Sequence, residues 1–177
     1  MLTANEIKLQ RANGNIVVEP WDPACLGPNS YDVHLHPKLM IYKEEVLDSR
    51  KENRTGEYTI PEEGFVLKPG KLYLGKTVEY TETNNLIPAY DGRSSVGRLG
   101  ISSHVTAGFG DIGFKGNWTL EIVVVHPVRV YPYMRIGQLY WERPDGEVLQ
   151  NTYHGKYQGE RDIAASRMWK DRENENA

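Results

Sequence analysis

The sequence predicts a mainly β protein built as a barrel or sandwich. Three observations carry this. Tyr31, Val33 and Leu35 alternate with Asp32, His34 and His36 in a clean period of two. Many short runs rich in β-formers are separated by Gly- and Pro-containing turns such as Pro-Glu-Glu-Gly64 and Lys-Pro-Gly-Lys71. Only the first segment and the turn after Arg93 read as helical.

Taken in order, Thr3-Ala-Asn-Glu6 is a capping box, so a short helix should run to about Ala12 and stop at Asn13-Gly14. Ile16 to Glu19 reads as a strand. Pro20, Pro23, Gly27 and Pro28 make 20–30 an ordered, irregular connection. The strand at Tyr31 follows, and Leu39 to Tyr42 reads as the returning strand. Lys43 to Gly56 is charged and poor in apolar residues, an exposed excursion. Strand signals then recur at 58–60, 65–67, 72–78 and 86–90. Trp118 to Val125 reads as a strand buried on both sides near its end, and 128–131 and 136–141 complete the pattern. From Pro144 the character changes. Tyr153 to Arg161 is aromatic, basic and glycine-rich, the composition of a cover over a site.

Composition sets bounds on function. The chain has 177 residues, 39% apolar and 25% charged, and reads as one domain with length enough for a core. A net charge of -3 argues against general nucleic-acid binding but leaves room for a local anion site. With one cysteine, Cys25, no internal disulfide is expected, and the absence of a membrane-length apolar run or leader pattern points to a cytoplasmic protein.

The chemistry concentrates in 91–121. Arg93, Ser94, Ser95 and Arg98 stand at the start of a short helical turn, where amides, hydroxyls and guanidinium forks suit phosphate oxygens. An N-cap with surface arginines is the plainer reading of that turn taken alone. Asp111 sits in a glycine-studded loop, 108–116, and suits an Asx turn equally well. Glu121 is a carboxylate within an apolar strand, on the same face as Thr119 and Val123. Burial is expected to raise its pKa and make it a proton carrier near neutral pH, with Arg98 as counter-charge. A buried structural salt bridge is the alternative. There is no Walker A sequence, no Rossmann fingerprint, and no His-x-Glu with Pro-Cys-x-x-Cys, so zinc-based deamination is not expected. His34 and His36 share a strand face without a third ligand in view.

Several stretches together resemble the dCTP deaminase family of the dUTPase superfamily: Gly92-Arg-Ser-Ser-Val-Gly-Arg-Leu-Gly100, His104-Val-Thr-Ala-Gly-Phe-Gly-Asp-Ile-Gly-Phe114 and Thr119-Leu-Glu-Ile122. Asn29-Ser-Tyr-Asp32, Ile136-Gly-Gln-Leu139 and Gly155-Lys-Tyr-Gln-Gly159 extend the likeness over most of the chain. The resemblance implies a dUTPase-like distorted jelly-roll β-barrel with a short N-terminal helix and a mobile C-terminal closing segment over about 150–177. It implies a homotrimer with sites at subunit boundaries.

It also implies roles. Glu121 would be the general acid/base, with Arg98, Ser94 and the carbonyl of Ala107 orienting it, the water and the leaving amine. Asp111 would lie by the deoxyribose, and Thr119 and Leu120 would read the base through their backbone. Arg93, Ser95, Gln138, Tyr153, Lys156 and Gln158 would surround the sugar and triphosphate. Mg²⁺ would ride on the phosphates, with no protein-bound metal and no zinc, and dTTP would be an inhibitor. Family members carry Gln where Glu160 stands. An acid there would repel a triphosphate, which directs attention to Gln158 or Arg161 instead. The first expectation is a deaminase converting dCTP to dUTP and ammonia. The alternative is a bifunctional enzyme that continues to dUMP and diphosphate, and Gly108-Phe109 before Gly110-Asp111, in place of a His-Arg pair, resembles that branch.

Overall fold

A computed structural model describes residues 1–148 and 152–171. The remaining part of the expected closing segment, 149–151 and 172–177, lies outside the described residues. A helix, α1 (Ala4–Ala12), leads into eleven strands: β1 (Ile16–Glu19), β2 (Tyr31–His34), β3 (Lys38–Tyr42), β4 (Thr55–Thr59), β5 (Phe65–Leu67), β6 (Tyr73–Thr83), β7 (Ile87–Gly92), β8 (Ile101–Ser102), β9 (Lys115–Val124), β10 (Val128–Val130) and β11 (Arg135–Glu142). The single-turn helix α2 (Ser94–Gly97) separates β7 from β8. The fold is mainly β, as the alternation and the turn punctuation predict.

Three sheets wrap one core. The largest runs β4-β3-β6-β9-β8, with β1 also on β6, while β2-β11-β7 and β10-β5 form the other two. Among the described residues the sheets do not close on one another by strand pairing, so the barrel is a loose one. Trp141, Tyr31, Leu35, Leu39, Leu120 and Ile122 are buried at its centre. All but Leu35, which directly follows β2, come from inward positions of their strands, and this burial drives the sheets together.

The structure revises four local expectations. Strands β2 and β3 are not a hairpin. The chain changes sheet at His36, whose N–H donates to the Lys76 carbonyl while Leu35 donates to Met134, so β2 pairs with β11 and β3 with β4 and β6. The capping box does not form. Thr3 makes no side-chain cap bond, and the Glu6 carboxylate instead accepts from Gln10 and Arg143. Strand β4 begins at Thr55, inside the stretch read as an excursion, because pairing with β3 supplies backbone partners that residue preference does not. The end of β9 is not buried on both sides: Val123 is half-buried and Val125 is exposed.

Residues 152–171 dock along the sheet. Gly159 donates to the Lys115 carbonyl, Asn117 donates to the Glu160 carbonyl, and Ile163 is buried beside Met40 and Leu74. Lys38 reaches Asp162 at 2.7 Å, and Lys76 donates to the Arg161 carbonyl at 2.6 Å. The segment is thus fastened to β3, β6 and β9.

Candidate active site

Strand β9 positions the central carboxylate. Its core face carries Trp118, Leu120, Ile122 and Val124, and its opposite face carries Thr119, Glu121 and Val123. One edge of β9 pairs with β6. The other edge takes β8 at Val123 and Val124 and the C-terminal segment at Gly116. Between those contacts, Thr119 to Glu121 has no strand partner on that edge among the described residues. Backbone groups left open there are available to a planar polar ligand.

That edge faces a cavity of about 500 Å³, a size that suits a nucleotide-scale ligand. Its walls include Ala107, Asp111, Thr119, Glu121 and Tyr153. The C-terminal segment contributes Tyr157 and Glu160 as well, and Ala164 donates its N–H to the Thr119 hydroxyl at 3.2 Å.

Glu121 is only partly enclosed, with 30% of its side chain exposed. The Nδ1 atom of buried His104 stands 3.4 Å from Glu121 Oε2. That approach falls short of a well-aligned hydrogen bond, and Nδ1 has no other partner among the described residues, so Glu121 is the acceptor nearest to it. His104, followed by the amides of Thr106 and Val105, holds the Glu121 carboxyl below its ordinary value against the opposing effect of burial. The upward shift expected from an apolar strand is therefore absent. The apolar neighbours in sequence point to the other side of the sheet, and a histidine faces the carboxylate. Nor is Arg98 its counter-charge within the chain. Arg98 is exposed at the end of α2 and does not line the Glu121 cavity.

The glycines of the 108–110 loop serve close approach. Tyr90 donates to the Gly108 carbonyl at 2.7 Å and Gly110 to the Pro88 carbonyl at 2.9 Å, so the loop lies along β7. A Cβ at Gly108 would stand 2.5 Å from the Tyr90 oxygen, and one at Gly110 would stand 2.6 Å from the Trp118 ring. The loop then turns at Gly113, where φ is 85°, and presents Asp111 exposed at the mouth of the cavity. Tyr153 donates to the Ile112 carbonyl at 2.7 Å and closes the turn from outside.

A second cavity, about 530 Å³, opens at the start of α2 and is lined by Arg93, Ser94, Gly97 and Gln138. Arg93 Nε lies 3.1 Å from Asp32 Oδ1. Gln138 donates to the Gly92 carbonyl at 3.3 Å and accepts from Ser30 at 3.0 Å. His104 lines both cavities and forms the wall between them, its ring 5.4 Å from that of Tyr90.

Residues 1–143 match the family model described as dCTP deaminase-like. This chain belongs to the dCTP deaminase-like family. It is 51% identical over 171 residues to the "dCTP deaminase, dUMP-forming" of Hathewaya histolytica, covering 97% of this chain and 98% of that one. It is 50% identical over 171 residues to the protein of the same name from Leptospira biflexa, covering 97% of each. Among solved structures it resembles the 2'-deoxycytidine 5'-triphosphate deaminase from Agrobacterium tumefaciens, with a TM-score of 0.65 over 81% of this chain and 21% identity. That match spans about half of the solved chain, 48%, and supports the fold.

Within the dCTP deaminase fold, the residues named from sequence fall into three groups. Glu121, Ala107, Asp111, Thr119 and Tyr153 share the first cavity, and Arg93, Ser94 and Gln138 share the second. Ser95, Arg98, Leu120, Lys156 and Gln158 line neither. Leu120 points its side chain into the core. Lys156 is paired with Asp171 at 2.6 Å. Gln158 donates to the carbonyls of Gly113 and Tyr153 and accepts from Lys115, so its amide ties the segment to the turn. Arg161 stacks over Tyr80 at 4.0 Å and is turned from the cavity. His34 and His36 are occupied by Glu79 and by the Lys38 amide, and no group of three metal-ligating side chains converges among the described residues. Sequence reasoning missed His104 and Tyr157. The signal for His104 was its position at the head of the 104–114 stretch, but only tertiary packing sets it against Glu121.

Proposed function

We propose that the chain deaminates dCTP and carries the product on to dUMP and diphosphate. The observation that carries this is that two of the three carboxylates lining one cavity stand in different settings, Glu121 against His104 and Asp111 exposed at the mouth. Glu121 takes a proton from water as the oxygen bonds to C4 of cytosine, and passes it to N3. Glu121 then moves the proton of the new C4 hydroxyl to the amino nitrogen, and the C4–N bond breaks to release ammonia as C4=O forms. The ionised state that His104 favours in Glu121 is the state a base needs at the start. In the second reaction a water attacks the α-phosphorus, Asp111 accepts its proton, and diphosphate leaves.

The sequence alone favours a reaction that stops at dUTP. The 50–51% identical relatives are named dUMP-forming, and this moves the preference to the two-step reading. Mg²⁺ would be held chiefly by phosphate oxygens and water. Asp111 is the carboxylate free of ion pairs among the described residues of this cavity. Bound Mg²⁺ would neutralise phosphate charge beside it.

The separation of Ser94 and Arg98 from Glu121 supports a trimer in which α2 of one chain completes the first cavity of the next. Leu99, Val105, Phe109 and Val125 expose apolar surface near that boundary. The test is to incubate the protein with dCTP and Mg²⁺ and separate the products. dUMP, diphosphate and ammonia are expected. Accumulation of dUTP would remove the second step, and unchanged dCTP would remove both.

A further inference from the structure

We propose that Arg167 is the positioning residue that makes the closing segment compatible with a polyanionic substrate. The proposal rests on the reading that the first cavity takes a nucleoside triphosphate.

The cavity carries three carboxylates, Asp111, Glu121 and Glu160. Glu121 faces His104. Glu160 is the one a triphosphate would meet on the segment that closes over it, and unpaired it would repel that ligand. Its carboxylate, 22% exposed, is bound by Nη2 of Arg167, which itself lies outside the lining. The same guanidinium donates through Nη1 to the Lys156 carbonyl and lies 5.4 Å from the Tyr157 ring centroid. The Arg167 backbone N–H donates to the Tyr157 hydroxyl at 2.9 Å, and Tyr157 in turn donates its N–H to the Tyr153 hydroxyl.

One residue thus neutralises Glu160 and braces Lys156, Tyr157 and, through it, Tyr153. The planar fork is what allows this, since separate N–H groups serve the carboxylate and the carbonyl while the face rests on an aromatic ring. The segment keeps an acid inside the cavity because the positive partner is carried seven positions along the same chain.

The experiment compares wild type with Arg167→Gln, Glu160→Gln, the double variant and Arg167→Lys. KM and kcat for dCTP are measured, together with calorimetric binding of inorganic tripolyphosphate. Arg167→Gln is expected to raise KM and to weaken tripolyphosphate binding about tenfold, the scale of one uncompensated charge, with kcat nearly unchanged. Adding Glu160→Gln should recover most of both losses, because the charge that needed neutralising is gone. Arg167→Lys, which retains the charge, should lose less than the Gln variant. The proposal is overturned if the double variant is as impaired as Arg167→Gln, if Lys and Gln are equivalent, or if tripolyphosphate binding does not change. Failure of wild type to turn over dCTP would strike the proposed function instead, and the tripolyphosphate titration reads Arg167 independently of it.

Discussion

Glu121 and Asp111 are of one residue class but are held differently by their surroundings. Glu121→Gln keeps the shape of the cavity and removes the proton acceptor. Ammonia release is expected to fall by at least about 10³-fold while nucleotide binding persists, since a positioned acid/base contributes on that order. Appreciable turnover in a release assay would take Glu121 out of its role. His104 is the largest influence holding the Glu121 carboxyl below its ordinary value. Because the folded pKa lies below the unfolded value of about 4.3, the contact contributes stability above that pH, and the contribution is lost as pH falls through the folded pKa. His104→Ala removes the largest lowering influence, so the Glu121 pKa rises. The acid limb of the kcat/KM profile for deamination should then move to higher pH. An unmoved limb would mean that Glu121 does not govern it.

At the scale of elements, the strands were legible wherever period-two alternation meets a buried face. The β2 alternation of Tyr31, Asp32, Val33 and His34 appears unchanged in the burial of the folded chain. Glu121 could be placed on the open face of β9 by the same counting. What lay across from that face could not be counted, because His104 arrives from a loop and Glu160 from the far end of the chain. Strand partners were likewise illegible, since a chain that changes sheet at His36 carries the same residues as one that turns back on itself. The 108–110 loop shows the distinction most clearly. Its glycines announced an unusual backbone, and the structure assigns the reason to crowding against Tyr90, Pro88 and Trp118. Gly108→Ala is therefore expected to cost about 1–3 kcal/mol, as overpacking does, and to loosen the Ala107–Asp111 wall with it. Chemical denaturation measures the first effect, and faster amide exchange at Tyr90 and Gly110 reads the second. A variant as stable as wild type would show that the loop can shift off β7 without penalty.

At the scale of the whole molecule, the two cavities of one chain pose a geometric question. The α2 turn is flanked by the guanidinium groups of Arg93 and Arg98, whereas no Arg or Lys among the described residues lines the Glu121 cavity, and His104 stands between the two. The proposed three-fold assembly would answer it by setting α2 of each chain against β9 of its neighbour, and would cover Leu99 and Val125, which a single chain leaves exposed. Sedimentation should then give a mass near three chains. The sharper measurement uses variants that are inactive for different reasons. Glu121→Gln chains retain Arg98, and Arg98→Ala chains retain Glu121. Mixed at equal ratio and reassembled in a heterologous ring, about a quarter of the boundaries would join an intact Glu121 to an intact Arg98. Deamination should return to roughly that fraction of the wild-type rate, where each variant alone gives almost none. If the site were complete within one chain, every chain in the mixture would still carry one defect and no activity would return. Recovery on mixing therefore depends only on whether the site is shared, and it distinguishes a composite site from one that merely becomes ordered when the trimer forms.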